Sequence, residues 1–335
     1  MRKRLVLIDG INFFYRGAWG GAEVLSYKGE DMGYVLTYFR NLQSMMDRFD
    51  DGFWDNTYVI CWDGGYDARL KVSSEAVQKG IIPKSYKQER REARETEDAE
   101  EKAKAESFMR QMKVAKELTA KTLVRQMQMP GEEADDVIGS FVAKYKGQYD
   151  EVLLVTTDRD YFQLLDRNVF LYNSGKDERR DLAYLKSEYG LTSGEQWIDV
   201  GALAGESGKS SDTIYGVPGI GYGIASKLIA EYGTLDNLIA TASDALKDEI
   251  AKFGSAMALY NKVKSHEYKL KHHVKEMYVL AHLEIVRLAR ELKAMRTFLD
   301  VNVPDAEPSM FELGKAFSTM GFPIGDRAIG KLTGI

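Results

Sequence analysis

Acidic residues are concentrated in two short segments of this chain. The first segment is Gly131-Glu132-Glu133-Ala134-Asp135-Asp136, and the second is Thr157-Asp158-Arg159-Asp160. Carboxylates packed this densely beside apolar segments repel one another unless cations lie among them. The two segments therefore predict a site for metal ions.

Two more acids each end an apolar segment. Asp9 follows Leu5-Val6-Leu7-Ile8, and Asp63 follows Tyr58-Val59-Ile60-Cys61-Trp62. Four segments could thus bring carboxylates to one edge of a sheet, an arrangement that suits the hydrolysis of phosphodiester bonds with two metal ions. Ligands that offer only oxygen favour Mg²⁺, with Mn²⁺ as a substitute.

Each acidic segment by itself also has an ordinary structural explanation. Acids at 133–136 could stabilise the start of a helix through its dipole, and the acids at 157–160 could form a polar turn that caps the next helix. Asp9 and Asp63 could be turn residues at strand ends. The coincidence of all four segments favours the metal site over these separate explanations.

The expected local geometry differs between the two main segments. On a helix that begins near Glu133, that residue and Asp136 share a face, and Asp135 is turned by about 100° from Asp136. On an extended strand end, Asp158 and Asp160 point in the same direction, because side chains alternate along a strand. In both segments, neighbouring carboxylates could reach the same ion.

A basic segment could supply cations for phosphate binding. Tyr86-Lys87 is followed closely by Arg90, Arg91 and Arg94, so that an aromatic ring for stacking lies beside several positive charges. A solvated helix face would explain most of these charges, although it explains Tyr86-Lys87 less well. The segment is therefore a candidate nucleic-acid contact.

A glycine-rich turn is a second candidate phosphate site. Gly216-Val217-Pro218-Gly219-Ile220-Gly221-Tyr222-Gly223 leads into Ile224-Ala225-Ser226-Lys227-Leu228-Ile229, the pattern of a helix-hairpin-helix. Glycines let a backbone approach a phosphate closely, and the first N–H groups of the next helix can bind it. The alternative is an ordinary tight turn between two packed helices.

Three apolar segments must position these residues. The segments at 5–8, 58–62 and 152–156 are bounded by Asp or Gly and separated by helical patterns, which predicts an α/β fold with a parallel sheet. The acids at 9, 63 and 158 would then lie at the carboxyl ends of strands, where such sheets usually carry their sites.

The remaining segments favour helices. An insert at roughly 84–129 contains no Gly or Pro and has opposite charges four residues apart. Its second half has a narrow apolar face that consists of Phe108, Met112, Ala115, Leu118 and Thr122. From about residue 196 the pattern changes to short helices and glycine turns, and an amphipathic helix is predicted at 281–299.

Composition limits the class of protein. At 335 residues and 44% hydrophobic, the chain is long enough for one large domain or two. Cys61 is its single cysteine, so that no disulfide forms within the chain and a reducing, cytoplasmic compartment is expected. No segment has the length of a signal peptide or a membrane span.

Net charge does not exclude a nucleic-acid partner. The formal charge is -5, from 51 acids and 46 bases. Setting aside eight candidate metal ligands, which are Asp212 and the acids at 9, 63, 133, 135, 136, 158 and 160, leaves 43 acids against those 46 bases. Bound divalent ions would add positive charge where a phosphate arrives.

These motifs resemble those of the 5′ nuclease family, the flap endonucleases and 5′-to-3′ exonucleases of phages, bacteria and eukaryotes. Residues 7–12 resemble the first motif, 86–90 the basic motif, and 133–136 and 157–160 the two main acidic motifs. Residues 211–221 resemble the acid that leads into the family's helix-hairpin-helix. The motifs occur in the family's order, whereas the last part of the chain matches only loosely.

The resemblance implies a particular fold. Residues 1–195 would form a PIN-like, mostly parallel sheet flanked by helices, in which the insert is a helical arch over the site. Residues 196–335 would form a helical DNA-binding region, with the helix-hairpin-helix at about 211–235. The chain would be a monomer that works with replication proteins, in bacteria or in phage-infected cells.

The resemblance also implies a two-metal hydrolase for DNA, with RNA in RNA–DNA hybrids as a further substrate. One Mg²⁺ would be held by Asp63, Glu133 and Asp135, with support from Asp9 and Asp136. The second would be held by Asp158, Asp160 and Asp212. Lys87 and Arg90 would neutralise the phosphate, and products would carry a 5′-phosphate and a 3′-hydroxyl.

The expected DNA contacts follow from the same resemblance. Tyr86 and Arg91 would contact DNA beside the arch. The hairpin would hold the duplex, often around a K⁺ ion, through Gly216, Gly219, Gly221, Gly223 and Lys227.

Two departures from the family pattern bear on function. The acid that should shortly precede Ser211-Asp212 is Glu206, and Ser207-Gly208-Lys209-Ser210 lengthens the connection. Gly223 stands where relatives often carry Lys. The first departure supports an alternative, a structure-specific DNA-binding protein with an impaired second metal site. A third interpretation, a ribonuclease with a similar acidic sheet, predicts a much shorter chain without the hairpin.

Overall fold

The computed structural model describes residues 1–19, 26–206 and 211–335 of the chain. Its main sheet contains β1 (Arg2–Asp9), β4 (Trp54–Trp62), β5 (Arg125–Gln128), β6 (Glu151–Val155), β7 (Val169–Asn173) and β8 (Glu178–Arg180). A separate short pair consists of β2 (Ser26–Tyr27) and β3 (Glu30–Asp31). The strand order in the main sheet is β5-β4-β1-β6-β7-β8.

The sheet is mostly parallel, as predicted. Among the described strands of this sheet, only β8 runs antiparallel to its neighbour, β7. The three strands expected from the sequence are present, and β1 is central, so that residues 5–8 are fully buried between layers of helices. The sequence did not indicate β5 or β8, because these short strands are polar and lack an apolar run.

Helices cover both faces of the sheet and continue beyond it. They are α1 (Gly10–Trp19), α2 (Gly33–Phe49), α3 (Asp67–Gln78), α4 (Gln88–Glu95), α5 (Ala99–Thr119), α6 (Ala134–Tyr145), α7 (Leu182–Tyr189), α8 (Gln196–Ala204), α9 (Tyr222–Tyr232), α10 (Leu235–Ala245), α11 (Lys247–Phe253), α12 (Ala256–Lys264), α13 (Val274–Ala281), α14 (Leu283–Lys293), α15 (Met310–Met320) and α16 (Asp326–Thr333).

The insert is helical, as expected, but it is not one helix. The helical structure is interrupted between α4 and α5. There, the Asp98 side chain accepts the backbone N–H of Glu101, and the Glu101 side chain accepts the backbone N–H of Asp98. This reciprocal cap fixes the start of α5. Met112, Ala115 and Leu118 of the predicted apolar face are buried, so that the second half of α5 packs in the same core as side chains of α1 and α2.

Two large cores lie on opposite faces of the sheet. One contains side chains of α1, α2, α5, α15 and α16, and the other contains side chains of α6, α8, α9 and α14. A third, smaller core lies among α10, α12 and α13. The predicted division near residue 195 stays a prediction, and α15 and α16 pack on the sheet instead of extending the helical region.

The helix predicted at 281–299 is shorter than expected. It runs over α14 and ends at Lys293, after which Ala294 is extended. The next two backbone N–H groups donate to side chains, Met295 to Gln163 and Arg296 to Asp136, both at 2.8 Å. These tertiary partners replace the helical hydrogen bonds. Within the described residues, no helix is long and apolar enough to cross a bilayer.

Candidate metal centre

The carboxyl ends of the central strands bring the first two acids together. β1 pairs with β4, with Asp9 opposite Cys61, so that Asp9 and Asp63 leave the sheet side by side. Asp63 accepts the backbone N–H of Ala134 at 2.8 Å. This bond places the start of α6, and with it the first acidic segment, beside the strand ends.

The second acidic segment has a different local structure from the one expected. β6 ends at Val155, and Asp158 and Asp160 do not lie on an extended strand end. Asp158 instead caps a 3-10 helix at Arg159–Leu164 and accepts the N–H of Asp160 at 2.9 Å. Asp158 thus serves both as a cap and as a member of the acidic cluster.

Asp9 is tied to the end of β6 by a small network. It accepts the N–H of Asn12 at 3.1 Å and lies 3.3 Å from the hydroxyl of Thr156. The Asn12 side chain in turn bonds to Thr157, at 2.9 Å from its hydroxyl. The network fixes the first motif against the second acidic segment.

The acids at the start of α6 surround a cation that the sequence analysis missed. Oxygens of Glu133, Asp135 and Asp136 lie within 4.8 Å of one another. The guanidinium of Arg69, on α3, donates to Glu133 at 2.5 Å and to both oxygens of Asp136 at 2.8 and 2.9 Å. Asp135 is farther from it, at 3.4 Å.

Asp136 is more firmly engaged than its neighbours. It is 1% exposed and also accepts the backbone N–H and the side chain of Arg296, at 2.8 and 3.2 Å. Asp135, which is partly exposed, is less committed to protein donors. Asp135 is therefore the better placed of the two to bind an incoming ion, and Asp136 holds the arrangement around it.

Burial and mutual repulsion raise the pKa values across the cluster. Burial, with the nearby charge of Asp63, raises the pKa of Asp9 to about 7. Burial and Asp160 raise the pKa of Asp158 to about 8, and burial and Asp135 raise that of Asp136 to about 7. The pKa values of Asp63, Glu133 and Asp160 are also raised, chiefly by burial.

The raised pKa values bear on whether these residues fit a divalent ion. All the potential metal ligands are carboxylate oxygens. Their ionised forms are disfavoured by burial and by mutual repulsion. A divalent ion at this position would offset both effects, and Mg²⁺ and Mn²⁺ are the ions that such a donor set prefers. The cluster therefore fits a divalent metal.

Glu206 and Asp212 have different side-chain partners. Lys293 donates to Asp160 at 2.9 Å and also contacts Glu206. Asp212 instead accepts the Tyr86 hydroxyl at 2.9 Å and pairs with Arg90 at 2.9 Å. The predicted ligand group of Asp158, Asp160 and Asp212 thus stays a prediction, and the structure groups Glu206 with Asp160.

Lys293 is a second cation that the sequence analysis missed. Burial would lower its pKa, but the charges of Asp160 and Glu206 outweigh burial and raise it, so that the ammonium stays charged. A signal was present, since Val286, Ala289 and Lys293 follow helical spacing and all are buried. A lysine on the apolar side of an amphipathic helix needs a buried partner.

Lys87 lies within the acidic site. It has a left-handed backbone at the start of α4, and its ammonium contacts Glu133 and lies 3.9 Å from Asp212. It also lies over the rings of Tyr66 and Tyr86, 5.1 and 5.0 Å from their centroids. The basic motif and the first acidic segment therefore lie in contact with each other.

The structure corrects the stacking role predicted for Tyr86. This residue is 2% exposed, and its hydroxyl lies 2.9 Å from Asp212 and 3.2 Å from Glu133, so that its ring is not accessible to a base. Arg91 donates to the Tyr86 carbonyl and the Ser85 hydroxyl, at 2.9 and 3.0 Å. Both residues position the basic segment, and a DNA contact by Arg91 stays a prediction.

The glycine turn leads into α9. Gly216 lies so close to the end of α8 that an added Cβ would be 2.5 Å from the Ala204 carbonyl carbon. Gly221 and Gly223 face open space, Gly221 precedes the first residue of α9, and Lys227 is exposed on that helix. The turn therefore presents backbone and one cation outward. The lengthened connection at 207–210 lies outside the described residues.

Comparison with known proteins places this chain in a family. Residues 4–190 match the 5′-3′ exonuclease N-terminal resolvase-like domain, and residues 192–313 match the 5′-3′ exonuclease C-terminal SAM fold.

Individual relatives are similar over most of the chain. A thermostable DNA polymerase I of Thermus thermophilus is 30% identical over 305 residues, which are 91% of this chain and 30% of that protein. A 5′-3′ exonuclease of Halalkalibacterium halodurans is 28% identical over 245 residues, 72% of this chain and 74% of that protein. The chain thus spans less than a third of the length of the polymerases that it matches.

Solved structures share the fold. The flap endonuclease of bacteriophage T5 superposes with a TM-score of 0.63 at 21% identity, over 98% of this chain and 97% of that one. The catalytic core of Rad2 gives a TM-score of 0.54 at 16% identity, over 99% and 91%. With both domains matched and the acidic motifs gathered at one edge of the sheet, this chain belongs to the 5′-3′ exonuclease family.

Proposed function

We propose that this chain hydrolyses phosphodiester bonds at the 5′ ends and 5′ flaps of DNA, with divalent metal ions held by its acidic cluster. The observation that carries this proposal is the convergence of carboxylates from four segments at one edge of the sheet. Their raised pKa values show how poorly the charges are compensated without an added cation. This activity would remove flaps or RNA primers during replication or repair.

The proposed ion at the first site is Mg²⁺, for which Mn²⁺ can substitute. Asp63, Glu133 and Asp135 would hold it, while Asp9 and Asp136 support them. Such an ion activates water and stabilises the charge that develops on the phosphate oxygens. The likeness to a T5 flap endonuclease, described as a complex with DNA and metal ions, supports the proposal.

The chain's own cations would bind the reacting phosphate. Lys87 and Arg90 lie at the base of the insert, paired with Glu133 and Asp212. Because these pairs join the basic motif to the acidic cluster, a phosphate that reaches the acids also meets both cations.

The glycine turn and α9 would hold duplex DNA without reading its sequence. The outward-facing backbone at Gly219, Gly221 and Gly223 and the positive end of the α9 dipole suit a phosphate. Lys227 adds a cation one turn farther along, and a K⁺ ion at the turn belongs to the same proposal. The enclosed backbone of Gly216 has a structural role instead.

The central experiment is cleavage of a 5′-labelled flap and its RNA-primed counterpart, with and without Mg²⁺. Asp135→Asn should reduce cleavage by about a thousandfold or more while flap binding is retained, because one oxygen ligand loses its charge. Asp166→Asn, at a surface acid that pairs with Lys146, is the matched control and should cleave normally. Undiminished cleavage by Asp135→Asn would refute the metal assignment.

One observation favours a second candidate function, structure-specific binding with little cleavage. Lys293 lies between Asp160 and Glu206, two of the acids expected near a second ion. Tight flap binding without cleavage in either Mg²⁺ or Mn²⁺ would support this alternative. The RNA-primed substrate also decides whether RNA–DNA hybrids are cut.

A further inference from the structure

The ammonium group of Lys293 lies where two carboxylates of the candidate metal centre face each other. Its Nζ is 2.9 Å from Asp160 and also contacts Glu206. Lys293 is only 4% exposed, whereas both carboxylates remain partly accessible. The cation is thus inside the site, on the inner side of the two acids.

The surrounding structure holds this side chain in place. The Lys293 carbonyl accepts the side-chain amide of Gln163 at 3.1 Å, and the same amide group accepts the N–H of Met295. The aliphatic part of the side chain lies against Gly201 of α8, where an added Cβ would come within 3.3 Å of it. Lys293 therefore reaches the acids from a fixed backbone across a helix that leaves room for it.

The charge of Lys293 does part of what a metal ion would do. It offsets the repulsion between Asp160 and Glu206 and offers hydrogen bonds to both. A divalent cation that entered between the same two acids would be repelled by the ammonium at close range, with little water to screen the repulsion. Lys293 and a second ion therefore compete for one position.

We propose that Lys293 is a built-in cation that replaces a second divalent ion between Asp160 and Glu206. This inference rests on the proposed metal site, and it predicts that one divalent ion binds tightly per chain. Lys293 is a positioning residue in this proposal, since it acts through the two carboxylates. Glu133 is already paired with Arg69 and Lys87. The ion that does bind is therefore held mainly by Asp63 and Asp135, which no cation of the described residues approaches within 3 Å.

The direct test is to count bound ions by calorimetry with Mn²⁺ in the absence of DNA. The unsubstituted protein should bind one ion tightly, and Lys293→Met should bind a second with an affinity raised roughly tenfold or more, because a close like charge is removed. Lys146→Met, which removes a surface lysine from its pair with Asp166, should leave the count at one. Two tight ions in the unsubstituted protein, or the same count in both proteins, would overturn the proposal.

A second variant keeps the test decisive if Lys293→Met does not fold. Glu206→Gln removes one carboxylate charge but leaves Lys293 in place. If Lys293 replaces the ion, Glu206→Gln should bind one Mn²⁺ with an affinity within about twofold of the unsubstituted protein. A clear loss of Mn²⁺ affinity would make Glu206 an ion ligand and would overturn the proposal.

The two proposals fail in different ways. Ion counts that follow the expected pattern, together with no cleavage of a flap in Mg²⁺, would leave the Lys293 inference standing and refute the nuclease proposal. Efficient cleavage with two ions bound in the unsubstituted protein would do the reverse.

Discussion

At the scale of single residues, the site is a balance of buried acids and the cations that reach them. Arg69 lies among Glu133, Asp135 and Asp136, and Lys87 contacts the other carboxylate oxygen of Glu133. Buried carboxylates are tolerated only when they are paired and hydrogen-bonded. Asp9 and Asp158 receive mainly backbone and hydroxyl donors, and their raised pKa values reflect this weaker compensation.

The raised pKa values predict how stability depends on pH. Because Asp9, Asp136 and Asp158 have folded-state pKa values of about 7, 7 and 8 against an ordinary 3.8, the metal-free folded protein binds more protons than the unfolded chain between these values. The free energy of unfolding should therefore fall as pH rises from about 4 to about 8. Urea denaturation in EDTA at pH 5.5 and pH 8 measures this slope.

Binding of a divalent metal ion should offset this fall in the free energy of unfolding. A divalent ion binds the charged carboxylates, so that added Mn²⁺ should raise the free energy of unfolding more at pH 8 than at pH 5.5. A metal-free protein that is equally stable at both pH values would contradict the account of the raised pKa values. An equal effect of Mn²⁺ at both would contradict the assignment of these acids to a metal site.

At the scale of elements, the site depends on helix starts and helix ends. The N-terminus of α6 lies at the acidic cluster, and the N-terminus of α9 faces solvent. α14 ends at Lys293, whose side chain enters the site. After the end of α14, the backbone N–H groups of the next residues donate to the side chains of Gln163 and Asp136 instead of to helical carbonyls. The end of one helix thus couples the C-terminal part of the chain to the carboxylates.

The first turn of α9 gives a prediction about DNA affinity. Gly223 faces open space and does not have a positive φ, so that Gly223→Lys should fold normally. If this turn holds duplex DNA, the added cation should tighten duplex binding about twofold to fivefold and steepen the dependence of log K on log salt by about one. Fluorescence anisotropy over a range of salt concentrations measures both quantities.

The matched control is Gly147→Lys. Gly147 is also exposed and has no neighbour within 4 Å of an added Cβ, but it precedes β6 and so lies at the opposite edge of the sheet from the acids. It adds the same charge to the protein. Equal gains in affinity from both variants would mean that the effect is net charge alone, and the hairpin contact would be refuted.

At the scale of the whole molecule, the two ends of the chain share one core. α15 and α16 pack on the same face of the sheet as α1 and α2, and the ring centroids of Phe39 and Phe317 are 5.0 Å apart. The chain thus returns to the sheet after it has formed the helical region. Stability of the sheet, and with it the geometry of the strand ends, depends on the last helices.

A pair of substitutions in α15 tests this dependence. Phe317 is 1% exposed, and Phe317→Ala should lower the free energy of unfolding by about 3–5 kcal/mol through lost burial and a cavity. Phe311, on the same helix, is 77% exposed, and Phe311→Ala should change it by less than about 0.5 kcal/mol. Urea denaturation of both variants gives the comparison, and similar values would show that α15 is not part of the core.

Local pattern was enough to find the acids and the main strands. Acids that end apolar runs must lie at the carboxyl edge of a parallel sheet, because all strands of such a sheet end on the same side. The helical insert and the glycine turn were likewise visible, since charge spacing and backbone freedom are properties of short segments. The prediction of a metal site follows from these features alone.

Tertiary structure decided which charges meet. Arg69 and Lys293 reach the acids from helices that are distant in sequence. No local sequence pattern predicts which carboxylates they contact. The same holds for the burial of Tyr86, the pairing of Asp212 with Tyr86, and the packing of α15 on the sheet. The physical reason is that the energy of a buried charge depends on everything around it in space, whereas spacing along a chain reports only its nearest neighbours.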